Sequence, residues 1–127
     1  MAEQMLSDHP ALAYAVALLL TLAVETAIVT VALARWYRVA VWRGATIAIG
    51  ASVLTHPVVW FVLPPLLVPA VGSTGYLLVA EGFAWLVEAG IFWLAIRRDP
   101  VGLLLVSLVA NLASFTLGGL LHLFGAL

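Results

Sequence analysis

Cysteine is absent from the chain, which removes disulfides, thiolate ligands and redox thiols from its chemistry. Charge is scarce as well, at 9% of 127 residues against 65% hydrophobic residues, and mean hydropathy is +1.21. No water-soluble domain of ordinary composition approaches that balance. The bases are all arginines and fall in two groups, Arg35, Arg38 and Arg43, then Arg97 and Arg98. So little basic charge, so divided, offers no nucleic-acid surface. The formal net charge of -1 carries less information than where the charges lie.

What is present in quantity is uninterrupted apolar sequence. Four runs, 11–34, 45–63, 76–96 and 101–124, approach or exceed the roughly 20 residues that cross a hydrocarbon core of ~30 Å at 1.5 Å per residue. They predict an all-α integral membrane protein with four transmembrane helices. The first run follows MAEQMLSDHP, with acids instead of bases, and is too long for a cleaved signal sequence, so it reads as a helix. By the positive-inside bias the arginine turns face the cytoplasm and both termini are extracytoplasmic. Trp36, Tyr37, Trp42 and Trp93 then belong near the inner interface, and Tyr14, Trp60 and Tyr76 near the outer one. The expected setting is the lipid bilayer of a bacterial or archaeal plasma membrane, with no nucleic-acid partner.

Rare charged residues also recur. LAVETAIVTVALAR, residues 22 to 35, aligns with WLVEAGIFWLAIRR, residues 85 to 98, placing Glu25 on Glu88 and Arg35 on Arg98. In the spans that follow, Ser52 and Thr55 lie opposite Asn111 and Ser114, each a pair of polar residues three apart. The chain reads as two tandem pseudo-repeated helical hairpins forming a small bundle: a tail 1–10, a hairpin 11–63, an outer loop 64–75 and a hairpin 76–127. Both hairpins enter from the same side, so a pseudo-two-fold axis would run along the membrane normal.

Counted along the helices, Glu25, His56, Glu88, Asn111 and Ser114 fall within roughly 5 Å of the membrane midplane. Glu81 precedes Glu88 by two turns and shares its face. Ser107, Asn111, Ser114 and Gly118 form one stripe of the fourth span, continued by His122. Pro57 follows His56 and is expected to break the second span, freeing the Val53 carbonyl. Trp85 reads as a packing residue and Ser52 and Ser107 as interhelical contacts. A charged side chain at the bilayer centre costs at least ~2.5 kcal/mol, and no lysine or arginine lies at the depth of these glutamates. They are therefore expected to be protonated, to hold a cation, or to be reached by water.

Three functions suit such a site. The first is a proton- or cation-coupled carrier, working as a homo-oligomer because four helices enclose little space. Its ion- or proton-binding residues would be Glu25, Glu88, Glu81, Asn111, Ser114 and Thr55. A divalent metal on Glu25, His56 and Glu88 is the cofactor this set would admit. LAVETAIVT resembles the first span of the small multidrug resistance carriers, four-spanning proteins with an essential glutamate and a small polar residue after it. The resemblance covers one span and implies an ion-coupled role for Glu25; those carriers lack the glutamates found here on the third span. The second function is an intramembrane hydrolase using Glu25 or Glu88 as base with His56 and Asn111, resembling glutamate-dependent intramembrane proteases in its residue types but without their paired motifs. The third is an accessory subunit whose polar stripe binds membrane partner helices.

Overall fold

The arginine turns set where the helices end. The computed structural model describes Gln4 and residues 8 to 124, so part of the expected tail 1–10 and the last residues of the second hairpin lie outside the described residues. Helix α1 is Pro10–Tyr37, α2 Val41–Pro57, α3 Leu63–Ile96 and α4 Pro100–Leu123, with a five-residue π-helix, Val58–Val62, between α2 and α3. Arg38 and Arg97 stop α1 and α3 in the left-handed conformation, at φ 55 and 61, and their amides turn back onto Leu33 O and Trp93 O. Arg35 and Arg98, matched by sequence, do not hold equivalent places: Arg35 lies in the last turn of α1, while Arg98 lies beyond the end of α3.

Asp99 caps α4, its carboxylate accepting from the Gly102 amide at 3.1 Å and from the Tyr37 hydroxyl at 2.8 Å. Proline follows at the first helical position, where the helix needs no N–H. A Cβ at position 102 would run into the Asp99 carboxylate and the Tyr37 hydroxyl. Arg98 adds a bond to Tyr37 O, so one tyrosine ties the two arginine turns together.

Three stretches are long and apolar enough to cross a membrane, Pro10–Tyr37, Val41–Ile96 and Pro100–Leu123, and no strand occurs among the described residues. The middle stretch holds 56 residues, which laid straight would reach ~84 Å. Instead it doubles back, because Arg43 Nη2 donates to Ala95 O at 2.9 Å and Thr55 meets Glu88 at 2.8 Å. The reversal falls at Gly72, whose φ of 75 and ψ of 176 belong to a region that only glycine occupies readily. At Gly75 a Cβ would come within 2.8 Å of the Val71 side chain.

The segment 64–75, expected as a loop, is therefore helical on both sides of a single glycine. Pro64 and Pro65 cause no break, since they occupy the first turn of α3. Nor does Pro57 end the second span; the chain passes it into the π-helix, a one-residue widening that absorbs the missing bond. Tyr76 donates its hydroxyl to Val59 O in that widened turn at 2.6 Å.

Helix α1 packs on α2 and α4, and α3 packs on the same two, so the four limbs form a ring with α1 and α3 on one diagonal. Close approach comes from small residues: the buried face of α2 is Gly44, Ala48, Ala51, Ser52 and Thr55, a small-residue spacing that lets membrane helices touch. The apolar core of Val29, Leu33, Phe92, Leu103 and Ala110 lies wholly on the arginine side of Glu25 and Glu88. Leu19, Leu54, Leu78 and Val101 are exposed on the outside of the ring. Long apolar helices with such a surface suggest contact with a lipid bilayer and an integral membrane location.

Candidate functional site

Each diagonal of the ring supplies one kind of group at the same level. The acceptors are Glu25 on α1 and Glu88 on α3, 3% and 2% exposed. The donors come from α2 and α4. Ser52 Oγ donates to Glu25 Oε2 at 2.9 Å, and Ser114 Oγ to Glu25 Oε1 at 2.7 Å. Thr55 Oγ1 donates to Glu88 Oε1 at 2.8 Å, and Asn111 Nδ2 to Glu88 Oε2 at 2.7 Å. All four carboxyl oxygens are thus engaged, each by one donor, and each glutamate bridges α2 and α4.

Helical spacing produces this layer. Ser52 and Thr55, like Asn111 and Ser114, are three residues apart and so lie on one face of their helices, which lets each helix reach both glutamates. The donors are themselves held. Asn111 Nδ2 also donates to Ser107 O at 2.9 Å, while Ser107 Oγ donates to Trp85 O and Trp85 Nε1 to Leu104 O, both at 2.8 Å. Trp85 therefore joins α3 to α4 through its polar atoms as well as by packing.

Electrostatically the layer is one-sided. Its four partners are neutral, and Arg35, Arg43 and Arg97 stand at least nine residues along their helices from the layer, ~13 Å or more. Arg43 and Arg98 are occupied by the carbonyls of Ala95 and Tyr37, and Arg97 stacks on Trp93.

The polar layer floors a cavity of about 970 Å³. On the arginine side lie the packed core and a separate groove of about 850 Å³ between α1 and α4; on the other side the cavity walls are mostly apolar, with Leu20, Trp60 and Phe115 among them. Glu25, Thr55, Glu88, Asn111 and Ser114 all reach the cavity, and Glu81, Tyr76 and His122 line it further from the floor. Glu81 and Glu88 thus share one cavity, as their seven-residue spacing implies.

His56 also lines the cavity, but outside the hydrogen-bonded layer. Its ring lies 5.2 Å from Tyr14 and 5.9 Å from Trp60, and its Nε2 is buried without a hydrogen-bond partner. Among the described residues no three His, Asp or Glu side chains are grouped to hold a metal ion. The expected ligand set of Glu25, His56 and Glu88 is therefore not assembled, because Thr55 and not the neighbouring His56 faces the carboxyls. His56 makes no hydrogen bond to Glu88 or Asn111, although all three line the cavity.

Ser52 was underrated by sequence alone, where it reads as an ordinary helix contact. It is a direct donor to Glu25, and its signal was the match of the Ser52 and Thr55 pair to Asn111 and Ser114. No protein-family model, curated protein or solved structure matches this chain.

Proposed function

We propose that this protein is a small carrier of four transmembrane helices in which Glu25 and Glu88 bind protons or a cation at the floor of the cavity. The observation that carries this reading is the pair of buried carboxyls with four neutral donors and no lysine or arginine at their depth. Neutral donors offset part of the cost of a buried charge, each bond to a charged group contributing ~1.5–3 kcal/mol. They leave the negative charge itself in place. Two such charges in one buried layer repel, and a bound positive species offsets that repulsion.

The donor pattern supports a two-hairpin repeat. Fifty-nine residues separate Arg38 from Arg97, Ala40 from Asp99, Ser52 from Asn111 and Thr55 from Ser114. Sixty-three separate Glu25 from Glu88, a difference of four residues, so α3 runs about one turn less from its glutamate to its end. A two-fold operation that exchanges the hairpins carries the Ser52 bond to Glu25 onto the Asn111 bond to Glu88, and the Ser114 bond onto the Thr55 bond. With the arginine turns cytoplasmic, the cavity opens to the outside together with both ends of the chain.

The test counts protons. Purified protein in detergent is moved between two pH values, and the protons bound are compared with those bound by a Glu25→Gln, Glu88→Gln double variant. The expected excess in the parent is up to two per chain, one for each carboxyl, reduced by addition of a cation that the site accepts. Equal proton binding by the two proteins, with the cation without effect, ends the proposal.

A further inference from the structure

Of the four donors, two have somewhere else to go. The Thr55 hydroxyl, 2.8 Å from Glu88 Oε1, is also 3.1 Å from Ala51 O, one turn back on its own helix. The Ser114 hydroxyl, 2.7 Å from Glu25 Oε1, is also 3.1 Å from Asn111 O. Each hydroxyl has one hydrogen with both a carboxyl oxygen and a backbone carbonyl in reach, Thr55 having Ser52 O at 3.4 Å besides, so rotation about its Cβ–Oγ bond moves the hydrogen from carboxylate to backbone. Asn111 differs, because its amide has two hydrogens and uses one on Glu88 Oε2 and one on Ser107 O at once. It donates and cannot accept through that nitrogen.

From this asymmetry we infer that Thr55 and Ser114 are the swivelling partners of protonation, and that each carboxyl takes its proton on the oxygen facing that hydroxyl. When Glu88 Oε1 gains a proton, its new O–H donates to Thr55 Oγ1, and the threonine hydrogen turns to Ala51 O. Asn111 goes on donating to the other oxygen. Glu25 behaves alike: Oε1–H donates to Ser114 Oγ, the serine hydrogen turns to Asn111 O, and Ser52 continues to donate to Oε2. One proton is added at each carboxyl, no covalent bond other than that O–H forms, and no donor is orphaned in either state. Leaving a buried donor or acceptor unpaired costs ~1–3 kcal/mol, so a site that keeps every group paired through the change can bind and release its proton without that penalty. The swivelling pair, Thr55 and Ser114, and the fixed pair, Ser52 and Asn111, are each related by the same fifty-nine-residue interval.

The titratable groups that line the same cavity as this layer are Glu25 from α1, His56 from α2, Tyr76, Glu81 and Glu88 from α3 and His122 from α4. The inference rests on the proton-binding reading above and specifies its atoms.

Carbon-13 NMR of the full chain in detergent micelles, followed through a pH titration, tests it. The resonances to follow are the carboxyl carbons of Glu25 and Glu88 and the backbone carbonyls of Ala51 and Asn111. The expected result is that Ala51 moves with Glu88 and Asn111 with Glu25. Thr55→Val should abolish the Ala51 movement and Thr55→Ser restore it. Titrating carboxyl carbons with stationary Ala51 and Asn111 carbonyls overturn the swivel and leave proton binding standing. Carboxyl carbons that never titrate overturn both.

Discussion

At the scale of single residues, the chemistry of Glu25 and Glu88 separates two substitutions that look alike in size. Glutamine can accept from Asn111 or Ser52 through its oxygen and donate to Thr55 or Ser114 through its nitrogen, reproducing the bonding of the protonated acid. Leucine instead leaves one buried donor unpaired at each position, Asn111 at 88 and Ser52 at 25, since Thr55 and Ser114 can turn to the Ala51 and Asn111 carbonyls. Glu88→Gln is therefore expected to fold with near-parental stability and to lose one titrating proton. Glu88→Leu should be destabilised by ~2 kcal/mol or more, read from reversible unfolding in mixed micelles. Equal stability of the two variants would mean that Asn111 does not depend on the Glu88 carboxyl. That these acids are expected to be protonated, to hold a cation or to be reached by water is legible from their depth alone. Which neutral groups meet them is not, because Ser52 reads in sequence as an ordinary interhelical contact beside the candidate His56, and only the packing of α2 turns Ser52 toward Glu25 and His56 toward Tyr14.

At the scale of elements, turns carry most of the special geometry. Gly72 reverses the 56-residue middle stretch in a conformation that side chains avoid, so Gly72→Ala should cost ~1–3 kcal/mol, visible as a lowered thermal midpoint in detergent. The Asp99 cap adds a pH signature. Folding holds the Asp99 carboxyl below the ordinary aspartate range, through the Tyr37 hydroxyl first and the Gly102 amide second. With a depressed folded-state value, its contribution is complete above the unfolded range and is lost as pH falls through the depressed one. Asp99→Asn should accordingly melt below the parent at neutral pH and draw level in acid; a gap that persists in acid argues against the cap. Prolines mislead sequence reading here for a local reason. Pro64 and Pro65 fall in the first turn of α3, and Pro57 is followed by a π-helix that accommodates it, so three apparent breakers interrupt nothing while one glycine does.

At the scale of the whole molecule, the apolar core lies on the arginine side of the glutamate layer and the cavity that reaches the carboxyls lies on the other. That division makes the cavity the route to the carboxyls. Gly119 lines it, and a Cβ there would meet nothing within 4 Å, so a large side chain can enter the space without disturbing the fold. Gly119→Trp is expected to keep the parental melting temperature while slowing proton exchange at Glu25 and Glu88 at least tenfold, measured by stopped-flow pH jump. Unchanged exchange would place the route elsewhere. The α-helical class and the membrane setting follow from composition and run length, and the depth of the acids follows from counting residues.

The amino-acid order by itself determines that the chain is helical, apolar and acidic at its middle, because hydropathy and helical rise are properties of consecutive residues. Only the tertiary structure decides that Glu25 and Glu88 each bridge the same two helices, that Thr55 and not His56 faces the carboxyls, and that the cavity reaching them lies on one side. Those outcomes depend on how each helix rotates about its axis and where the long middle stretch turns back, and both are set by packing between segments far apart in the chain.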